Sequence, residues 1–156
     1  MDTQLEYLAK TLIGEARGEP VQGIIGVGCV IRNRVITLKK SYKEVVTALD
    51  YSSTIFHQFD CWDVNGPNYA YITGLNLDNP PDKYCKQALW VAQGIFDGSI
   101  LDNTGGAKNY VTIARYQLAT GRKGSLDQWI LKMKIAVTLG SQIFLKDSNG
   151  PAPTKA

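Results

Sequence analysis

The sequence predicts an α+β domain that is mainly helical, with a small β-hairpin or sheet near its C-terminal end. Three observations carry this expectation. Leu5, Leu8, Leu12 and Ala16 recur at helical spacing, and apolar residues crowd the stretches 24–36 and 84–95 in the same rhythm. Ile135, Val137 and Leu139 alternate, Gly140-Ser141 supplies a turn, and Ile143 and Leu145 alternate again, which is a hairpin pattern. With 156 residues, 44% hydrophobic and 20% charged, the chain is long enough for one packed domain and too short for two. Residues 1–147 are taken as that domain. Residues 148–156, with two prolines and no hydrophobic anchor, are expected to form a flexible tail.

Each element has its own signal. Asp2 is a good N-cap for a first helix reaching Arg17. A second helix opens at Pro20 and runs to Ile36. It is apolar on most sides and so is expected to be the central buried helix, with Gly23, Gly26 and Gly28 marking close approach by a neighbour or a substrate. Ser41 with Glu44 forms a capping-box pattern for a third helix to Leu49. From Asp50 to Pro81 periodicity lapses into a long aromatic-rich segment. Loops of that length in a compact domain are commonly functional, and Tyr51, Phe56, Phe59, Trp62, Tyr69 and Tyr71 argue for packing or ligand binding. A fourth helix spans Asp82–Phe96, with Tyr84, Ala88, Leu89, Val91, Ala92 and Ile95 inward. Ala107–Ile113 looks extended, and 115–129 is too interrupted by Gly121 and Gly124 to be one element. Trp90 and Trp129 are expected in the core.

Composition excludes several classes. No dense Lys/Arg cluster accompanies the net charge of +3, so nucleic acid is not an expected partner. Gly14, Glu15 and the Arg32/Arg34 pair interrupt the apolar runs, so no stable membrane insertion is expected. No secretory signal is visible after Met1, which implies synthesis in a cytoplasm and delivery by another agent. Cys29, Cys61 and Cys85 fit no zinc spacing. A Cys61–Cys85 bridge is one open option, and no metal or other cofactor is expected.

The chemistry-bearing stretch is Gly14-Glu15-Ala16-Arg17-Gly18-Glu19-Pro20, between the first two helices. Glu15 falls at the edge of the buried stripe, in the last turn of its helix. Desolvation and the negative helix end both favour its protonated form, and a carboxylic acid protonated near neutral pH can protonate a leaving oxygen. Arg17 would oppose this if it reached Glu15. A plain capped turn, with Gly18 ending one helix and Pro20 starting the next, explains the same spacing.

This stretch, together with Gly26-Val27-Gly28-Cys29-Val30, Arg32-Asn33-Arg34-Val35, Gln58-Phe59-Asp60-Cys61-Trp62, Thr104-Gly105-Gly106-Ala107, Tyr110 and Leu139-Gly140-Ser141-Gln142-Ile143-Phe144, resembles the cell wall hydrolase family of the spore-cortex-lytic enzymes (SleB/CwlJ type), which includes phage endolysins. The resemblance covers nearly the whole chain in order. It implies a lysozyme-like domain that cuts the MurNAc-GlcNAc backbone of peptidoglycan, with Glu15 as general acid/base. The reaction it implies is lytic transglycosylation, leaving 1,6-anhydromuramoyl ends. Two positions depart from the family pattern: Gln142 stands where His is common, and Asp60 where Ser or Thr is common.

A hydrolytic muramidase, the alternative, needs a second carboxylate. Asp60 and Asp63 are the candidates, while Glu19 is expected to fix the turn. Sugar rings offer apolar faces and hydroxyl edges, so Gln58, Phe59, Trp62 and Tyr110 are the expected substrate contacts, each with loop packing as its plainer role. His57 and Cys61 raise a cysteine amidase or endopeptidase, and a non-catalytic peptidoglycan-binding phage component is the third class. The expected setting is a monomeric lysin that reaches the periplasmic wall through a phage holin, or is carried in a virion.

Overall fold

The computed structural model describes residues 1–51 and 53–148, so the tail expected over 148–156 lies, beyond Ser148, outside the described residues. In chain order the elements are α1 (Thr3–Ala16), α2 (Val21–Leu38), α3 (Tyr42–Val46), a 3-10 turn (Asp60–Trp62), α4 (Tyr69–Thr73), α5 (Lys83–Asp97), β1 (Asn109–Thr112), α6 (Ile113–Arg122), a second 3-10 turn (Ser125–Asp127), α7 (Gln128–Leu131), β2 (Lys134–Leu139) and β3 (Gln142–Lys146). A mainly helical fold with a small C-terminal sheet is what the apolar periodicity predicted.

The helix starts are set by side-chain caps. The Asp2 carboxylate accepts from the Gln4 and Leu5 amides, Asp82 accepts from the Cys85 amide, and Ser41 and Glu44 complete a capping box. The third helix stops three residues earlier than its periodicity suggested. Thr47 turns its hydroxyl back to the Lys43 carbonyl, and Leu49 leaves to bridge with His57.

α1, α2 and α5 pack against one another around Leu8, Leu12, Ile13, Ile24, Val27, Ile31, Val91 and Ile95. α2 is long and apolar enough, by length and composition, to cross a membrane, a property the sequence reading denied it, but most of it is buried inside this core. The glycines of α2 serve packing. A Cβ at Gly26 would overlap the Phe144 ring, and one at Gly28 would lie 2.9 Å from Ile95 Cγ1.

The sheet has the order β1-β3-β2, with all neighbours antiparallel. β1 adds a strand to the predicted hairpin, and its pairing sets Tyr110 opposite Phe144 and Thr112 opposite Gln142. Period-2 alternation sends Phe144 towards α2. Ile143 and Leu145 go to a second cluster with Val111, Ala119 and Ile130.

The interrupted stretch 115–129 resolves into short helical pieces gathered on one buried carboxylate. Asp127 accepts from Arg115 at 2.7 Å, from Arg122 at 2.8 and 2.7 Å, and from the Gly124 amide at 2.8 Å. These donors hold it well below the usual carboxylate range. Two tryptophans expected inside are outside: Trp90 is 60% and Trp129 47% exposed. Tyr84 is likewise on the outer side of α5, whose inner face is Cys85, Ala88, Val91, Ala92 and Ile95. All three cysteines are free and buried, so no Cys61–Cys85 bridge forms.

Gly26→Ala is expected to destabilise the fold by about 1–3 kcal/mol, because Phe144 must leave its slot. Urea unfolding of the variant measures this, and an unchanged midpoint would show that the ring has room to move.

Candidate active site

Glu15 sits in the last turn of α1, half-buried, facing the 3-10 turn Asp60–Trp62. The approach is made possible by the residue before it. A Cβ on Gly14 would lie 2.6 Å from Cys61 Cβ and 2.9 Å from its sulfur, so only glycine lets that turn rest on α1. The Cys61 amide then points at the Glu15 carboxyl, at 3.4 Å from Oε1, and Asp60 is carried alongside.

These surroundings push the Glu15 pKa from 4.5 up to about 7. Burial is the largest cause and the neighbouring Asp60 charge the next, and the Cys61 amide only partly offsets them. Arg17 does not intervene. Its guanidinium donates to the Ile13 carbonyl at 2.9 Å and lies 4.7 Å from the centre of the Tyr71 ring.

The opposite wall comes from β1. Tyr110 is half-buried, and burial, then the Glu15 charge, raises its phenol well above the ordinary value. Its position is fixed by α2, where three consecutive polar residues in an apolar helix do three jobs. Arg32 is buried and donates to the Ile95 and Ile100 carbonyls at 3.2 and 2.7 Å, closing the end of α5. Asn33 donates to the Ala107 carbonyl at 2.9 Å and to Asp102 at 3.2 Å. Asp102 also accepts from the Thr104 amide and hydroxyl and from the Gly106 amide. Gly105 and Gly106 take positive φ in this turn, so the Thr-Gly-Gly-Ala segment delivers β1 in a set register. Arg34 donates to the Lys108 carbonyl at 2.6 Å, to Asn109 at 3.2 Å and to Gln58 at 3.3 Å. It thereby ties β1 to the aromatic loop.

The expected substrate contacts divide. Tyr110 lies beside Glu15. Gln58 is exposed at the rim, with its amide engaged at both ends, by Arg34 and by the Leu49 carbonyl. Phe59 and Trp62 are 2% and 7% exposed, which corrects their assignment as sugar platforms. The Arg34 guanidinium covers Phe59 at 5.2 Å, while Trp62 stacks on Tyr7 at 5.1 Å and donates to Thr11 at 3.0 Å.

Glu19 accepts from the Ser141 hydroxyl and so ties the start of α2 to the β2–β3 turn. Asp63 accepts from the His57 amide at 2.7 Å and pairs with its imidazole at 2.8 Å, which holds the acid below its ordinary pKa. Cys61 is buried, and its thiol is pushed far up by burial and by Glu15. A thiol so placed is no nucleophile. The sequence reading gave no role in the site to Gly14, Asn33 or Asp102, although a polar triplet inside an apolar helix was a visible signal.

No protein-family model matches the chain, nor does any curated protein. Two solved structures align with it over nearly their whole length. One is the catalytic domain of the germination-specific lytic transglycosylase SleB from Bacillus anthracis, at 24% identity over 94% of this chain and 96% of that one, with a TM-score of 0.47. The other is the catalytic domain of the Bacillus cereus SleB protein, at 22% identity over 92% and 89%, also with a TM-score of 0.47.

Asp60→Asn removes one of the two causes that raise Glu15 most and leaves the burial. The Glu15 midpoint should therefore fall from about 7 without reaching 4.5. A carboxyl-carbon NMR titration reads this directly, and an unmoved midpoint would mean that Asp60 does not act on Glu15.

Proposed function

We propose that this protein cleaves the glycan strands of peptidoglycan as a lytic transglycosylase, with Glu15 as its general acid and then base. The observation that carries the reading is the half-buried Glu15 carboxyl, packed against the Cys61 turn, where burial and the Asp60 charge push its pKa up to about 7. Protonated, it can donate to the bridging oxygen. Once ionised, it can take the proton from the muramoyl C6 hydroxyl as that oxygen closes on the anomeric carbon. The nucleophile belongs to the substrate, so one carboxyl suffices.

Asp60 bears on the choice between this and hydrolysis. Carboxyl pairs that flank a glycosidic bond stand about 5–5.5 Å apart in retaining enzymes and about 6.5–9.5 Å apart in inverting ones, with a sugar or water between them. Asp60 acts on the Glu15 carboxyl through its charge, the largest cause of the raised pKa after burial. We read it as the group whose charge helps keep the proton on Glu15, and not as a second catalytic acid. Asp63 is occupied by His57. The resemblance of the Gly14–Pro20 stretch to the cortex-lytic enzymes supports the same chemistry. The setting of a monomeric phage endolysin, released to the wall through a holin or carried in a virion, is part of this proposal and rests on that resemblance.

Glu15→Gln should lower the rate of sacculus solubilisation by about 100-fold or more, and parental activity should decline as pH rises above about 7, where the acid loses its proton. The stability it confers is complete below pH 4.5 and is lost as pH rises to about 7, by at most about 3 kcal/mol. The variant cannot titrate, so denaturant unfolding should give it a flatter stability profile across that window. A folded variant that dissolves sacculi at the parental rate would remove Glu15 from the chemistry.

Mass spectrometry of the released fragments should show anhydromuramoyl ends. Reducing ends, heavier by one water, would turn the assignment to a hydrolytic muramidase.

A further inference from the structure

α6, the second 3-10 turn and α7 supply none of the residues of the cleft, and the C-terminal segment that carries them differs in charge from the rest of the chain. Residues 107–148 hold seven lysines and arginines against two aspartates, a net charge of +5. The preceding 106 residues hold nine basic side chains against twelve acidic ones, a net charge of −3.

Large apolar side chains stand in water on the same segment. Leu126 is 74% exposed, and Leu118 and Trp129 are about half exposed. Leu126 and Trp129 lie three residues apart across the 3-10 turn and α7. Arg115, which donates to the Leu126 carbonyl at 3.0 Å, is three residues from Leu118 on α6. Asp127 pairs with both Arg115 and Arg122 and offsets one of their two charges. Lys123, Lys132 and Lys134 form no ion pair among the described residues. Lys123 is held next to α7, because Gln128 donates to its carbonyl, and Lys132 caps the C-terminal end of α7.

We propose that this surface docks the protein on the anionic face of a phospholipid bilayer, with the lysines over the phosphates and Trp129, Leu118 and Leu126 in the interfacial layer. An exposed indole beside aliphatic side chains and flexible ammonium groups is the combination that layer takes up. Nucleic acid fits less well. The two leucines offer no flat face to a base, and the arginines that could fork onto phosphates are committed to Asp127. The stem-peptide carboxylates of peptidoglycan would answer the charge but give no reason for the exposed leucines. The inference stands apart from the reading of the Glu15 site.

The test is co-sedimentation of the full chain with vesicles of phosphatidylcholine containing phosphatidylglycerol, against vesicles of phosphatidylcholine alone. Binding should favour the anionic vesicles roughly tenfold or more, weaken with salt, and fall by about tenfold or more in both Lys123→Glu/Lys132→Glu and Leu126→Ser/Trp129→Ser. Both double variants should solubilise lipid-free sacculi at the parental rate. Sacculus turnover is read separately, so a failed glycan reading and a failed lipid reading are told apart. Equal binding to the two vesicle types would overturn the proposal, as would binding that neither variant weakens. Tighter binding to a single-stranded oligonucleotide than to anionic vesicles, lost only in the lysine variant, would replace it with a nucleic-acid surface.

Discussion

The close contact between Gly14 and Cys61 is the constraint on which the site depends. A hydrogen in place of a methyl lets the 3-10 turn lie directly on the last turn of α1. That contact strips water from Glu15, brings the Asp60 charge beside it and aims the Cys61 amide at it. Desolvation raises the acid, and the like charge adds to the shift. The unusual carboxyl is thus a product of backbone packing before it is a product of any charged neighbour.

The same economy governs the far wall. α2 is the core helix, and its polar triplet reaches outward in three directions, to the end of α5, to the turn before β1 and to the aromatic loop. Holding Tyr110 opposite Glu15 is therefore part of holding the domain together. β3 links the halves, because its alternate side chains fill the helical core and the C-terminal cluster in turn.

Elements with a strong period could be read from the sequence: α1, α2 and α5 from their apolar stripes, β2 and β3 from their alternation about Gly140-Ser141. Glu15 could also be singled out, because a carboxylate at the edge of an apolar stripe is a local fact. What could not be read depended on tertiary contact. Phe59 and Trp62 look the same in a sequence whether their faces meet a sugar or Arg34 and Tyr7. The pieces of 113–131 are ordered by Asp127, whose partners lie up to twelve residues away. Trp90 and Trp129 were placed inside by residue type, and nothing in their spacing said otherwise.

The three thiols have a consequence of their own. Each is shut away from solvent, and each is pushed above its ordinary pKa, chiefly by burial. Oxidants and disulfides attack the thiolate, and here that form is scarce at neutral pH. The fold is therefore indifferent to the redox poise of its surroundings. It needs no cross-link in an oxidising compartment and loses none in a reducing one, so passage from one to the other leaves the acid at the end of α1 unchanged.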